Sequence, residues 1–264
     1  MKRILLAFFP AMLLCALPGC RGSETVRIMT YNVGTFTKFE ENSLLMITDM
    51  VKETGADVIS MNELDSCTVR TGGVFQLERF ASEMGEWQYR FGAAMPYDGG
   101  AYGDGLATGR DAEVLDSWSA VLPQGDGAEP RALVVMEFDS YVVASTHLDH
   151  VSPEAQLGQV RAITGMLEAR YSGGRKPVFL CGDVNAVPGS DTMKEFELHW
   201  DVISPEENTF PSDVPDCCID YILAMKGTGK FEVVRSAVLR DFASGDTAAA
   251  SDHLPVYAEV KVAR

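Results

Sequence analysis

Short runs of β-branched and apolar residues recur along this chain, and several of them carry an amide, a carboxylate or an imidazole at or next to one end. They lie at Val26 to Tyr31, Asp57 to Met61, Ala132 to Phe138, Tyr141 to Thr146, Pro177 to Cys181, Ile219 to Ala224, Phe231 to Leu239 and Leu254 to Val262. Runs of this length and composition read as buried strands. Helical patterns fall between several of them: Ser43 to Thr54 ending at Gly55, Phe75 to Met84 ending at Gly85, and Pro153 to Tyr171 ending near Gly173. The third is the best marked, with Ser152 as N-cap, Pro153 at the first helical position, and an apolar stripe of Leu157, Val160, Ile163, Met166 and Leu167. Asp139-Ser140 joins two strand runs as a two-residue connection, so antiparallel pairing sits beside helix-linked strands. That mixture predicts layered α/β architecture.

The polar residues at the run ends are the chemical content of the sequence. They are Asn32, Glu63, His147, Asp183 with Asn185, Asp220, and Asp252 with His253. Such groups at the ends of buried strands are costly unless paired, hydrated or bound to a cation. Singly, each has an ordinary reading: Asn32 as a turn residue, Asp183 as an Asx-turn before Asn185, Ser251-Asp252 as a loop cap. If several of these ends meet on one rim, they make a site.

In this order the segments resemble the endonuclease/exonuclease/phosphatase superfamily, from Val26 to about Val260, most specifically in Gly182-Asp183-Val184-Asn185 and Ser251-Asp252-His253. The resemblance implies a four-layer sandwich of two packed mixed β-sheets flanked by helices, deoxyribonuclease-like, with the site where loops of both sheets meet. It implies Mg²⁺ or Mn²⁺ held by Glu63, with Asn32 and Asp252 as ligands directly or through water. Asp220 and His253 become a carboxylate-imidazole pair, Asp183 the group that orients or deprotonates water, and Asn185 a donor to the reacting phosphorus centre. His147 is expected on a non-bridging phosphate oxygen. Arg131 resembles a family arginine at the phosphate rim, with a surface salt bridge as its ordinary alternative. No residue stands out as a protein nucleophile, so a single in-line displacement by water is expected.

Weaker features surround this set. Asp65 and Arg70 resemble the loop after the metal-binding glutamate in some bacterial members, and a solvated loop explains them equally well. Asp149, His150 and Gln159 read as helix caps or solvent-exposed groups, and Gly99-Gly100-Ala101-Tyr102-Gly103 as a plain turn. Two departures from the family pattern, Tyr102 to Thr108 and Cys217-Cys218, remove features that would help hold extended polyanions.

The N-terminus reads as an export signal over residues 1–19. Lys2 and Arg3 precede an apolar run from Ile4 to Leu17 that is too short for a spanning helix. Leu17-Pro18-Gly19-Cys20 resembles a bacterial lipobox, which makes Cys20 the lipidated first residue, 20–25 a tether, and 26–264 a single domain. Loss of Lys2 and Arg3 takes the formal charge from −16 to −18, which disfavours nucleic acid as a partner. Cys181 reads as core, while Cys217 and Cys218 read as either buried or paired. The chain is therefore expected to be a monomeric phosphoesterase outside the cytoplasm, lipid-anchored to a bacterial membrane and acting on small or lipid-head-group phosphate esters. A secreted nuclease and a catalytically silent surface binding protein are the alternatives.

Overall fold

The computed structural model describes residues 22–39 and 42–263, so the export signal and Cys20 lie outside the described residues. The strands are β1 (Ser23–Asn32), β2 (Val58–Ser66), β3 (Gln88–Tyr97), β4 (Gly100–Thr108), β5 (Val114–Val121), β6 (Ala132–Phe138), β7 (Val142–His147), β8 (Val178–Asp183), β9 (Trp200–Val202), β10 (Asp220–Met225), β11 (Phe231–Val238) and β12 (Val256–Ala263). The helices are α1 (Leu44–Thr54), α2 (Gln76–Glu83), α3 (Pro153–Tyr171), α4 (Asp191–Glu197) and α5 (Thr247–Ala250). They build two six-stranded mixed sheets, ordered β11-β12-β1-β2-β4-β3 and β5-β6-β7-β8-β10-β9.

Each sheet holds one parallel pair, β1 with β2 and β7 with β8, and in both a helix makes the connection, α1 in the first and α3 in the second. The remaining pairs are antiparallel. Central strands buried on both faces explain the near-continuous apolar runs. Along β1, Val26 and Ile28 enter the layer between the sheets with Val143, Phe179, Ile222 and Val256. Met29 and Tyr31, on the other face, pack under α1 and α2 with Ile47, Met50, Leu77 and Phe80. The outer face of the second sheet packs Ala144, Leu180 and Leu223 against Val160, Ile163 and Leu167 of α3. Four structural layers thus enclose three apolar ones, as the resemblance implies. Each aliphatic side chain buried this way contributes roughly 1.5–3 kcal/mol.

Local signals place the helix ends. Gly55 closes α1 in the left-handed conformation, with φ 64°, and the Ser152 hydroxyl accepts from the Ala155 amide at the start of α3. The Asp139-Ser140 connection joins β6 to β7, with Phe138 and Tyr141 stacked beneath it, ring centroids 4.4 Å apart. The segment Gly99 to Gly103 is different from the expected plain turn. Only Asp98 and Gly99, both at positive φ, make the turn, and Gly100 to Gly103 run on into β4. Strands β3 and β5 escape a hydrophobic reading because most of their residues are half-buried or exposed. β4 escapes it because three of its nine residues are glycine.

One feature of the layer between the sheets positions the site. Its side chains change from apolar to polar along five neighbouring strands. β1 gives Ile28, Thr30 and Asn32, β2 gives Val58, Ser60 and Asn62, β7 gives Val143, Ser145 and His147, and β8 gives Phe179, Cys181 and Asp183. β10, antiparallel, gives Ala224, Ile222 and Asp220. The polar ends meet across the sheets. Ser60 and Ser145 hydroxyls are 2.7 Å apart, and the Asn62 amide donates to Asp104 at 2.9 Å and to the Thr146 carbonyl at 2.9 Å. The Asn62 Oδ1 in turn accepts from the Asp183 backbone N–H at 3.0 Å. Gly182, just before Asp183, has φ +143°, and a Cβ there would lie 1.8 Å from the Thr146 carbonyl oxygen. Gly182→Ala is therefore expected to destabilise the protein by ~2–4 kcal/mol, a fall in Tm of several degrees or more in thermal unfolding. An unchanged Tm would contradict the close approach.

Candidate active site

At the polar end of the sandwich, residues from both sheets share one set of hydrogen bonds. Asn32 Nδ2 donates to Glu63 Oε1 and to Asp183 Oδ2, each at 3.1 Å, and lies 3.4 Å from His253 Nε2. His253 Nδ1 is 2.9 Å from Asp220 Oδ2, which also accepts from the Thr209 hydroxyl at 2.6 Å. The His253 ring lies against Phe210, with centroids 4.9 Å apart. Asp183, Asp220 and His253 are all buried, with potential ligand atoms within 4.8 Å of one another. Burial works against the His253 imidazolium, but the carboxylates of Asp220 and Asp183 outweigh it and raise its pKa to about 10. Burial pushes the Asp183 carboxyl up to about 7, although the charge on His253 pulls the other way.

His147 is of the opposite kind. Burial, with Arg131, His253 and His150 adding to it, holds its pKa well below the usual imidazole value, so it is neutral. Arg131 Nη1 lies 3.1 Å from His147 Nδ1, and a guanidinium can only donate. His147 Nδ1 is therefore the acceptor, and Nε2 carries the proton. Nε2 faces Asp183 Oδ2 at 3.4 Å and the Asn185 amide nitrogen at 3.0 Å. Asn185 Nδ2 is oriented by its donation to the Leu148 carbonyl at 3.0 Å, so its second N–H meets an N–H and is left for an incoming acceptor. Asn185 has φ 48°, a conformation asparagine tolerates, and its backbone N–H closes an Asx turn on Asp183 Oδ1 at 2.9 Å. Arg131 is not a surface salt-bridge residue: it is 3% exposed and reaches both His147 and His150.

Glu63 reaches the site through a backbone irregularity. Asn62 points between the sheets, so strict alternation would send Glu63 toward the helices. Instead Glu63 has φ 59° within a break in the β2–β4 register between Met61 and Leu64, which turns it to the rim. Asp252 lies on the same rim. Its Oδ2 is 2.8 Å from the Lys38 ammonium, while its buried Oδ1 has no hydrogen-bond partner. Ser251 Oγ donates to the Asn32 carbonyl at 2.6 Å and ties this loop to β1.

Glu63 and Asp252 fit a hard divalent cation: both offer carboxylate oxygens, one of them buried and unpartnered, and the charge now facing Asp252 is an ammonium. The trio Asp183, Asp220 and His253 also has a buried oxygen without a partner, Asp220 Oδ1, but fits less well, because the imidazolium already supplies positive charge between the two carboxylates. Asn32 presents its amide nitrogen to Glu63, and its Oδ1 accepts from the Gly34 N–H at 3.1 Å. As oriented, it braces the carboxylate and does not offer it a second oxygen.

Beside Glu63 opens a cavity of about 370 Å³ that includes Lys38, Arg70, Met95, Tyr97, Tyr102 and Glu129 in its walls. Asp65 and Arg70 do not form a solvated loop. Asp65 is fully buried and binds Arg70 through Nε at 2.6 Å and Nη2 at 2.8 Å. Neither Asp149 nor Gln159 is a cap or solvent-exposed: Asp149 is buried and accepts from the Val151 and Ser152 amides at 2.8 Å, ahead of the helix that Ser152 caps, and from the Ala128 amide at 2.7 Å. Gln159 is buried too, bonded to the Asp149 amide and the Pro123 carbonyl. A larger cavity of about 550 Å³, lined by Asp57, Trp87 and Tyr141, sits at the opposite strand ends, away from these groups. Cys67, Cys181, Cys217 and Cys218 are all free thiols, and Cys218 is core.

Sequence reasoning missed Asn62, Asp104, Thr209 and Lys38. Asn62 and Asp104 carried a readable signal, polar residues at inward positions of buried strands, but Thr209 and Lys38 lie in irregular segments without one. The Asp220–His253 geometry predicts that His253 stays an imidazolium far above pH 6.5 in metal-free protein. With four histidines in the chain, side-chain ¹⁵N NMR can follow it. A midpoint well above 8, lowered in Asp220→Asn protein, is expected. A midpoint near 6.5 would contradict the assignment.

Comparison with known proteins agrees with this fold. The structure is similar to a mannosyl-6-phosphatase of Bacteroides thetaiotaomicron, with TM-score 0.73, 17% identity, and coverage of 89% of this chain and 99% of that one. It is also similar to an endonuclease/exonuclease/phosphatase from Bacteroides vulgatus, with TM-score 0.74, 19% identity and coverage of 90% and 99%. TDP2 of D. rerio, complexed with a single strand DNA product, shares the fold at TM-score 0.67 and 14% identity, over 89% and 98% of the two chains. No curated protein sequence matches the chain. The sequence model of the endonuclease/exonuclease/phosphatase family matches residues 29–253, which span every site residue from Asn32 to His253, and the chain belongs to this family of phosphoesterase hydrolases.

Proposed function

We propose that this chain is a divalent-metal-dependent hydrolase of small phosphate esters, acting by in-line attack of water. The observation that carries the reading is the convergence of Asp183, His253, Asp220, His147, Asn185 and Arg131 on one buried centre beside Glu63 and Asp252. The small cavity beside Glu63 and the formal charge of −16 favour a compact ester over a polyanion. The likeness to a sugar phosphatase points the same way.

Glu63 and Asp252, braced by Asn32, would hold Mg²⁺ or Mn²⁺, which when bound supplies neutralisation of phosphate charge and stabilisation of the leaving oxygen. Asp183 Oδ2 takes the proton of the attacking water as its oxygen forms the new bond to phosphorus. The bond to the ester oxygen breaks, its electron pair stays on the leaving alcohol, and solvent protonates that oxygen. His147 Nε2–H, the second N–H of Asn185, and the His253 imidazolium donate to the phosphate oxygens as charge develops. Asp220 holds the His253 ring and its charge, and Thr209 holds Asp220. The Lys2-Arg3 start and the Leu-Pro-Gly-Cys sequence support export and tethering through acylated Cys20.

The test is hydrolysis of sugar phosphates, inositol phosphates, phospholipids and nucleic acids with Mg²⁺, Mn²⁺ or EDTA. Metal-dependent release from a small ester is expected, with kcat lowered roughly 10²–10⁴-fold or more in folded His253→Ala protein. Turnover confined to nucleic acid would replace this reading with a nuclease, and silence throughout would favour a binding protein. Glu63→Gln should raise the Mg²⁺ concentration for half-maximal activity by roughly tenfold or more, and an unchanged titration would reject Glu63 as a ligand. The pH profile has a defined sign. Asp183 accepts a proton only when ionised, so kcat/KM should fall as pH drops through about 7. His253 donates only when protonated, so it should fall again toward about 10. A profile flat across both limbs would remove these two residues from the chemistry.

A further inference from the structure

We infer that the cavity beside Glu63 is the leaving-group subsite, that it takes a neutral polyhydroxylated alcohol of monosaccharide size, and that Arg70, held by buried Asp65, reads its hydroxyls. The inference rests on the reading of the site as a phosphoesterase.

The cavity adjoins Glu63, so a group filling it lies next to the proposed metal side of the phosphate. Its volume of about 370 Å³ is near the lower end of small-molecule sites, roughly 300–1,000 Å³, which suits one ring and not a chain of them. Arg70 meets Asp65, Glu129 approaches Arg131 at 3.9 Å, and Lys38 faces Asp252 at 2.8 Å until a cation takes that place. Glu63 and Glu129 in the same wall disfavour a second phosphate on the substrate, whereas hydroxyl groups would find oriented donors and acceptors.

Arg70 is fixed more firmly than a rim arginine needs to be. Its Nε and Nη2 are both taken by Asp65, which is fully buried and also accepts from the Thr68 hydroxyl at 2.7 Å. The Arg70 backbone N–H is bound by Asp98 Oδ2 at 2.7 Å. Its guanidinium carbon lies 4.5 Å from the Tyr97 ring centroid and 5.8 Å from that of Tyr102. Among the described residues, Nη1 is the end with no protein partner. A guanidinium immobilised on three sides presents that end with little entropy left to lose on binding. Glu129 supplies acceptor oxygens, and the two tyrosine rings with Met95 supply the apolar surface that the C–H face of a sugar requires.

The test compares kcat/KM for hexose 6-phosphates and for p-nitrophenyl phosphate, each offered as the monoester and as the methyl diester, with Mg²⁺. In wild type the hexose series is expected to be preferred despite its poorer leaving group. Arg70→Lys keeps the charge but loses the fork, and should lower the ratio of hexose to aryl kcat/KM tenfold or more. Tyr97→Leu, at a position 38% exposed, is the second variant and should shift the ratio in the same direction. Hexose and aryl esters falling in parallel in both variants would overturn the subsite, as would a wild type that prefers the aryl ester. If wild type hydrolyses neither series, the phosphoesterase reading fails separately. Saturation-transfer NMR with free glucose and mannose then judges the subsite. Saturation lost in Arg70→Lys supports it, and no saturation in wild type overturns it.

Discussion

The Asn62 side chain is the point on which the two sheets depend. Fully buried, its amide donates to Asp104 in its own sheet and to the Thr146 carbonyl in the other, and its oxygen accepts the Asp183 N–H. A buried amide left unpaired costs several kcal/mol, so these bonds fix the approach and register of the sheets at this end. Everything chemical follows from that registration. Asn32 and Asn62 are opposite one another on β1 and β2, His147 and Asp183 on β7 and β8, and Asp183 and Asp220 on β8 and β10. The carboxyl ends of two parallel pairs thus open on one crevice, the usual place for a site in sheets of this type.

The site handles charge in two ways. In its interior, carboxylates and imidazoles are balanced among themselves: Asp220 and Asp183 keep His253 charged, while Arg131 and burial keep His147 neutral. Two histidines at 3.4 Å and 3.6 Å from the same Asp183 oxygen therefore sit in opposite protonation states. The difference between them lies in which charges face them. On the rim, Glu63 and Asp252 carry negative charge that the interior does not balance. Asp252 leaves one buried oxygen unpartnered, and the only cation facing it among the described residues is Lys38. On the proposed reading, this division would put proton chemistry inside and cation binding at the edge, beside the cavity where the alcohol would lie.

Much of this was legible in the sequence. Apolar runs leading to Asn32, Glu63, His147 and Asp183, and one that starts beside Asp220, marked the central strands and the residues they deliver, because a strand buried on both faces has little freedom in composition. The Ser152 cap and Gly55 marked helix ends for the same local reasons. Legibility failed where burial is one-sided or the backbone carries the meaning. β3 and β5 are half-exposed, and β4 packs with glycines at Gly103 and Gly105, where a Cβ would lie 2.0 Å and 2.4 Å from its nearest neighbour. The cradle of Asp65 around Arg70 and the contact of Thr209 with Asp220 depend on loop paths that no periodicity encodes. The left-handed turn at Glu63 was equally hidden, since alternation alone would have pointed its side chain away from the site.

The central claim is that the cation belongs to the Glu63 and Asp252 rim while Asp183, Asp220 and His253 keep the protons. Anomalous diffraction from crystals of the protein grown with Mn²⁺ tests it directly. The account predicts a single strong peak within coordination distance of Glu63 and Asp252 carboxylate oxygens. A peak enclosed instead by Asp183, Asp220 and His253 would contradict it, because the imidazolium on which the proposed chemistry depends could not share that space.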